Sequence, residues 1–155
     1  MEISFDLDDT LIPSRKSDFP LMKRSWLQNL LQVENLRAGT KEVFEVLQVK
    51  GHQVGIYTTS FRPVWKIKWQ MLTYGIKPDF IINEPINRNR LKSIGVASSK
   101  YPPAFDIHWH IDDSIGVAIE GERHGFNTVI LKKSARQWGA EVLRQIDARQ
   151  DTNEE

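Results

Sequence analysis

Four groups of polar residues hold the side chains best suited to chemistry, three of them at the ends of short apolar runs. Ile3 to Phe5 leads into Asp6-Leu7-Asp8-Asp9-Thr10, and Val54 to Tyr57 into Thr58-Thr59-Ser60. Ile107 to Ile111 leads into Asp112-Asp113-Ser114, with Lys100 in the loop before it. Five aspartates at one rim repel one another and resist ionising unless a cation lies among them. Carboxylates and carbonyls with retained waters suit a hard divalent ion, Mg2+ above all, which commonly also takes a phosphate oxygen. Thr58 and Lys100 add a hydrogen-bond donor and a positive charge for that phosphate. Turn chemistry explains one Asp-rich loop on its own. It explains less well a second acidic pair and a Thr cluster at the ends of two other apolar runs.

Whether these groups meet depends on the elements that carry them. Glu2 to Leu7 reads as a strand, followed by a polar loop around Pro13 to Ser17. A helix is expected from Asp18 to Val33, with Met22, Trp26, Leu30 and Val33 on one face. Thr40 to Lys50 reads as a helix stopped by Gly51, and Gln53 to Thr58 as a strand. Ser60 is expected to cap a helix with Pro63 in its first turn, ending near Tyr74-Gly75. Asp79 to Ile82 reads as a strand, Arg88 to Ile94 as a helix and Asp106 to Ile111 as a strand. Ile115 to His124 forms a helix closed by Gly125, Asn127 to Leu131 a fifth strand and Ser134 to Arg149 a last helix. Strands separated by helices need right-handed crossovers, so the expected fold is α/β, a doubly wound, mainly parallel five-stranded sheet with helices on both faces. Ligands of such sheets collect beyond the carboxyl ends of the strands, where the four clusters converge.

The chain has 155 residues, 40% of them hydrophobic, and a net charge of +1, which fits one globular domain over residues 1–150 with a polar tail at 151–155. There is no Cys, so thiol nucleophiles, thiolate zinc sites and iron–sulfur clusters are excluded. The N-terminus has no cationic leader, and no apolar run approaches the roughly 20 residues of a membrane span. The expectation is a cytoplasmic protein without a membrane partner. Residues Phe61 to Lys100 carry eight basic and two acidic side chains, a solvated basic face or an anion-attracting rim. Trp65 and Trp69, four apart on one helix, are expected in the core rather than as stacking platforms, and no nucleic-acid partner is assigned. His108 and His110 share one face of their strand and lack a third ligand for a metal.

Phe5-Asp6-Leu7-Asp8-Asp9-Thr10-Leu11 resembles the first motif of the haloacid dehalogenase-like hydrolase superfamily, Asp-x-Asp-x-Thr after the first strand. Val54-Gly55-Ile56-Tyr57-Thr58 is similar to its second motif, Lys100 to its third-motif lysine and Ile111-Asp112-Asp113-Ser114 to its acidic fourth motif. The resemblance implies a phosphatase acting on a phosphorylated substrate, small or macromolecular. Asp6 would be the nucleophile and Asp8 the general acid and base, with Thr58, Thr59 beside it, and Lys100 binding the phosphate. Mg2+ would be held by Asp6, the Asp8 main-chain carbonyl and Asp113, with Asp112 acting through water. Lys92 also precedes the fourth strand and is a rival to Lys100, which is preferred because Lys100-Tyr101-Pro102-Pro103 resembles the Lys-Pro loop of many relatives.

Many relatives insert a cap domain between the first two motifs. Here residues 13–36 leave room for one helix and its loops, a flap rather than a domain, so the site is expected to be open. Two other classes compete. A scaffold protein would keep the fold without turnover. A receiver-like domain would carry its phosphorylated Asp after the third strand, where this chain has Asn83-Glu84.

Overall fold

The computed structural model describes residues 1–151, with side chains to residue 148. Five strands, β1 (Glu2–Phe5), β2 (Gln53–Tyr57), β3 (Ile81–Ile82), β4 (Ile107–Asp112) and β5 (Asn127–Ile130), form one sheet in the order β3-β2-β1-β4-β5. Every pair is parallel, and Phe5 of β1 lies in register with Ile56 on one side and Ile111 on the other. The helices are α1 (Trp26–Leu30), α2 (Thr40–Val49), α3 (Val64–Thr73), α4 (Glu84–Ser93), α5 (Ile115–His124) and α6 (Trp138–Asp151), with a 3-10 turn at Pro102–Phe105 before β4. This is the expected α/β sheet. The order of strands reverses at β1, so the chain leaves β1 and β4 in opposite directions and opens a crevice at their carboxyl ends.

Right-handed crossovers place α2 and α3 on one face and α4 and α5 on the other. The larger core lies on the α2 side, where α2 packs against β2 and α6. Phe5 stands at its centre, 5.1 Å from the Phe44 ring and edge-on to Trp138, among Ile3, Val54, Leu47, Val142 and Ile146. Apolar burial of this kind contributes about 25 cal/mol per Å2 and dominates the stability of the fold. A smaller cluster of Tyr57, Ile82 and Ile107 backs the sheet near β3. Gly55 is required there, because a side-chain carbon at that position would overlap the Phe80 carbonyl. Among the described residues no helix is long and apolar enough to cross a membrane.

Three elements differ from expectation for local reasons. The helix expected over Asp18 to Val33 is only α1, and two of its four supposed core positions, Trp26 and Leu30, are exposed. Ser25 and Gln28 make a capping box that starts the helix late, and upstream Leu21 pairs with Arg37 in an antiparallel bridge. Ser60 does not cap α3, which begins after Pro63; its hydroxyl accepts instead from the Arg62 N–H and guanidinium. α4 starts at Glu84 rather than Arg88, because Asn83 accepts from Ile86 N–H and Pro85 occupies the first turn. The end of the expected tail, residues 152–155, lies outside the described residues.

Candidate active site

Pairing of β1 with β4 continues one step past the strand, with Asp6 N–H donating to the Ile111 carbonyl at 2.8 Å. The chain then turns sharply, and the Leu7 carbonyl accepts from both Leu11 and Ile12 N–H. Asp9 sits in this turn with φ 64°, in the left-handed region that Asp tolerates better than most residues. Its carboxylate is occupied by Ser14 N–H, Ser17 Oγ at 2.6 Å and Lys133 Nζ at 3.1 Å. Partial burial works against the anion, but these donors prevail and hold the carboxyl at about 2. Asp9 therefore shapes the loop that presents Asp6 and Asp8.

The loop after β1 is also anchored from below. Arg37 is fully buried and its guanidinium donates to the carbonyls of Thr10, Lys132 and Ala135 at 2.8–3.1 Å. Its charge lies 4.3 Å from the centre of the Phe19 ring and 5.2 Å from that of Trp138. Burial pushes the guanidinium down to about 10, so it stays charged at neutral pH. One side chain thus joins the loops that follow β1 and β5.

Asp6 and Asp112, at the ends of adjacent strands, share one buried ammonium. Lys100 Nζ lies 2.8 Å from Asp6 Oδ1 and 2.5 Å from Asp112 Oδ2. Asp112 also accepts from Ser114 N–H at 2.8 Å and lies 3.0 Å from His110 Nε2. The other ring nitrogen of His110 meets Ser4 Oγ at 2.8 Å, so a polar chain runs from β1 beneath the site.

Burial sets the charges of this cluster. It pushes the Asp6 carboxyl up to about 6, against the pull of Lys100 and with the Asp112 anion adding to the rise. Burial opposes the Asp112 anion too, but the His110 hydrogen bond and the Lys100 charge hold its carboxyl well below the usual range. Lys100 is held above its ordinary value because Asp6 and Asp112 outweigh its desolvation. Burial and the neighbouring ammonium lower His110 to about 4, keeping the ring neutral.

Asp113 completes the acidic group. It accepts from Thr10 Oγ1 at 3.4 Å and lies 3.3 Å from Lys133 Nζ. One oxygen from each of Asp6, Asp112 and Asp113 falls within 4.8 Å of the others. Three carboxylates so placed fit a hard divalent cation such as Mg2+, whose ligands are oxygens and whose charge offsets their repulsion.

The other predicted residues divide. Thr58, at the end of β2, is buried; its Oγ1 accepts from Ser60 N–H, and its own proton meets no acceptor among the described residues. That leaves a donor to spend. Asp8 is half exposed, and its carboxylate is gripped by Arg62 Nη1 at 2.9 and 3.0 Å. Arg62 in turn pairs with Glu34 of the flap at 2.7 Å. Thr59 is exposed and lines a pocket of about 540 Å3 with Glu84, Asn87, Arg88 and Lys92, which none of Asp6, Asp8, Asp112 and Asp113 lines. Lys92 is exposed there, and Lys100 alone of the two lysines reaches Asp6.

The chain matches no protein-family model and no curated protein.

Arg62, Lys133 and His110 belong to the site although the sequence did not assign them to it. Arg62 and Lys133 follow β2 and β5 by a few residues, the same signal that exposed Asp6 and Asp112. His110 and His108 do not act as a ligand pair, since His110 is buried against Asp112 while exposed His108 pairs with Glu2 at 2.9 Å.

Proposed function

We propose that the protein is a Mg2+-dependent phosphatase that hydrolyses a phosphomonoester through an aspartyl-phosphate, a chemistry like that of the haloacid dehalogenase-like enzymes. The observation that carries this reading is the contact of Lys100 with both Asp6 and Asp112, inside a group of three carboxylates spaced for one cation.

Asp6, on a strand end in the crevice, attacks phosphorus; the new Asp6–P bond forms as the ester P–O bond breaks. Asp8 gives its proton to the departing oxygen. Asp8 then takes a proton from water as that water attacks phosphorus, and inorganic phosphate leaves as the Asp6–P bond breaks. Lys100 and the Thr58 hydroxyl donate to phosphoryl oxygens as charge develops on them. Asp6, Asp113 and Asp112 would hold Mg2+ together with the Asp8 carbonyl, and the ion neutralises charge on the phosphoryl group when bound. Arg62 must release the Asp8 carboxylate, or move with it, for the proton transfers to occur.

The grip of Arg62 on Asp8 also favours a second reading, a phosphate-binding protein of the same fold that does not turn over. Hydrolysis of p-nitrophenyl phosphate with and without Mg2+ separates the two. Metal-dependent turnover in the wild type, reduced by at least ~10³-fold in Asp6→Asn and strongly in Asp8→Asn, supports the phosphatase. A folded wild type inert on every phosphoester tried leaves the binding protein.

A further inference from the structure

Trp65 and Trp69 are not core residues. Ile67, Gln70 and Met71 are the buried side of α3, and Trp65, Lys68, Trp69 and Leu72 make up its outer side, with Trp65 69% and Trp69 40% exposed. The face begins at the site. Phe61 directly precedes Arg62, whose guanidinium holds Asp8, and its ring carries the Arg88 guanidinium at 5.5 Å, while Trp65 lies open in the first turn of the helix. Trp65 and Trp69 are therefore one helical turn apart, about 6 Å along the axis. At the far end Gln28 of α1 bonds Thr73, and α1 adds the exposed Trp26.

The charge of this face points one way. Residues 61–77 contain Arg62, Lys66, Lys68 and Lys77 and no acid. Lys66 and Lys68 form no ion pair among the described residues, while the acids Glu34 and Glu45 are taken by Arg62 and Lys41. A second copy docked through this same stretch would bring Lys66 and Lys68 further cations and no acid. An anionic chain with flat π faces meets both demands, its phosphates near the lysines and its rings on the aromatics.

We propose that the Trp65–Trp69 face of α3 binds single-stranded nucleic acid, and that the substrate of the catalytic site is the phosphorylated end of such a strand. The second clause rests on the phosphatase reading; the first does not.

The test is fluorescence anisotropy of a dye-labelled oligothymidylate of about 12 nucleotides, within the range a stacking groove covers, carrying a phosphate on its unlabelled end. The wild type should bind, and more weakly as salt rises. Trp65→Ala with Trp69→Ala should weaken binding about ten-fold or more, at unchanged thermal unfolding. Trp65→Phe with Trp69→Phe should restore most of it, since the stacking ring is kept. Absence of binding, or binding that the alanine pair leaves unchanged, overturns the proposal. So does an alanine pair that abolishes binding to phosphatidylserine vesicles, or self-association, in a protein that ignores the oligonucleotide. Phosphate release from the bound end is read separately. Binding without release from this or any phosphoester defeats the phosphatase reading and leaves the face standing, whereas p-nitrophenyl phosphate turnover without oligonucleotide binding does the reverse.

Discussion

Lys100 Nζ lies between Asp6 Oδ1 and Asp112 Oδ2, at 2.8 and 2.5 Å, so one ammonium serves carboxylates from two neighbouring strands. All three groups are buried. Removing the cation leaves two acids facing each other away from water. Lys100→Met should therefore cost about 3–5 kcal/mol in urea unfolding without metal. Lys92→Met, at an exposed position, should stay within about 0.5 kcal/mol. Equal effects of the two substitutions would remove Lys100 from the centre of the site.

Asp112 and Asp113 are adjacent but differently employed. Asp112 is committed to Lys100, His110 and Ser114 N–H, whereas among the described residues Asp113 meets Thr10 Oγ1 and a half-exposed Lys133. Asp113→Ala should raise the Mg2+ concentration needed for half-maximal activity by about ten-fold or more and leave stability nearly intact. Asp112→Ala should lower stability as well, by about 3 kcal/mol. Metal titration and urea unfolding of both variants decide this, and an unaltered Mg2+ requirement in Asp113→Ala would rule it out as a ligand.

Acid acts on His110 and Asp6 in opposite senses. The folded value of His110, about 4, lies below its ordinary 6.5, so between these the unfolded chain binds more proton and acid costs stability. The folded value of Asp6, about 6, lies above its ordinary 3.8, so between these the folded chain binds more proton and acid adds stability. The windows overlap between pH 4 and 6, and the contributions oppose each other there. In EDTA, Asp6→Asn should lose stability more steeply than the wild type from pH 7 to pH 4.5. Parallel curves from chemical unfolding at several pH values would refute the assignment.

Arg37 bonds carbonyls from the loops after β1 and β5 and, among the described residues, holds no acid in a direct ion pair. Arg37→Met keeps most of the volume but strands those carbonyls. It should cost on the order of 3 kcal/mol and increase hydrogen exchange in both loops. Loss of stability without change at Lys132 to Ala135 would show that the loops are held by something else.

The helix Ile115–His124 and the strand after it were legible to the residue at their starts, because apolar spacing and Gly125 mark them locally. The convergence of Asp6, Asp112 and Asp113 was legible too, since a parallel sheet brings its strand ends to one edge, whereas Lys100 comes from the loop before β4 and was placed by its resemblance to a motif. What escaped depends on partners distant in the chain. The period of α3 puts Trp65 and Trp69 on one face but does not tell whether anything covers it. The Asp18 to Val33 stretch has helical spacing, but Ser25 and Gln28 begin the helix late and Leu21 pairs with Arg37 instead. Asp8, assigned to proton transfer, is met by Arg62 through a side-chain pairing that no local pattern encodes.

The position of β1 in mid-sheet has a consequence for biosynthesis. Its pairing with β2 can form once residue 57 is free, but its other edge has no mate until residues 107–112 emerge. A nascent chain halted between those points displays a bare hydrophobic strand, a template for clumping with its siblings. Premature stop products of this protein should therefore be recovered in inclusion bodies or with holdase chaperones, while release of the last two strands seals the seam.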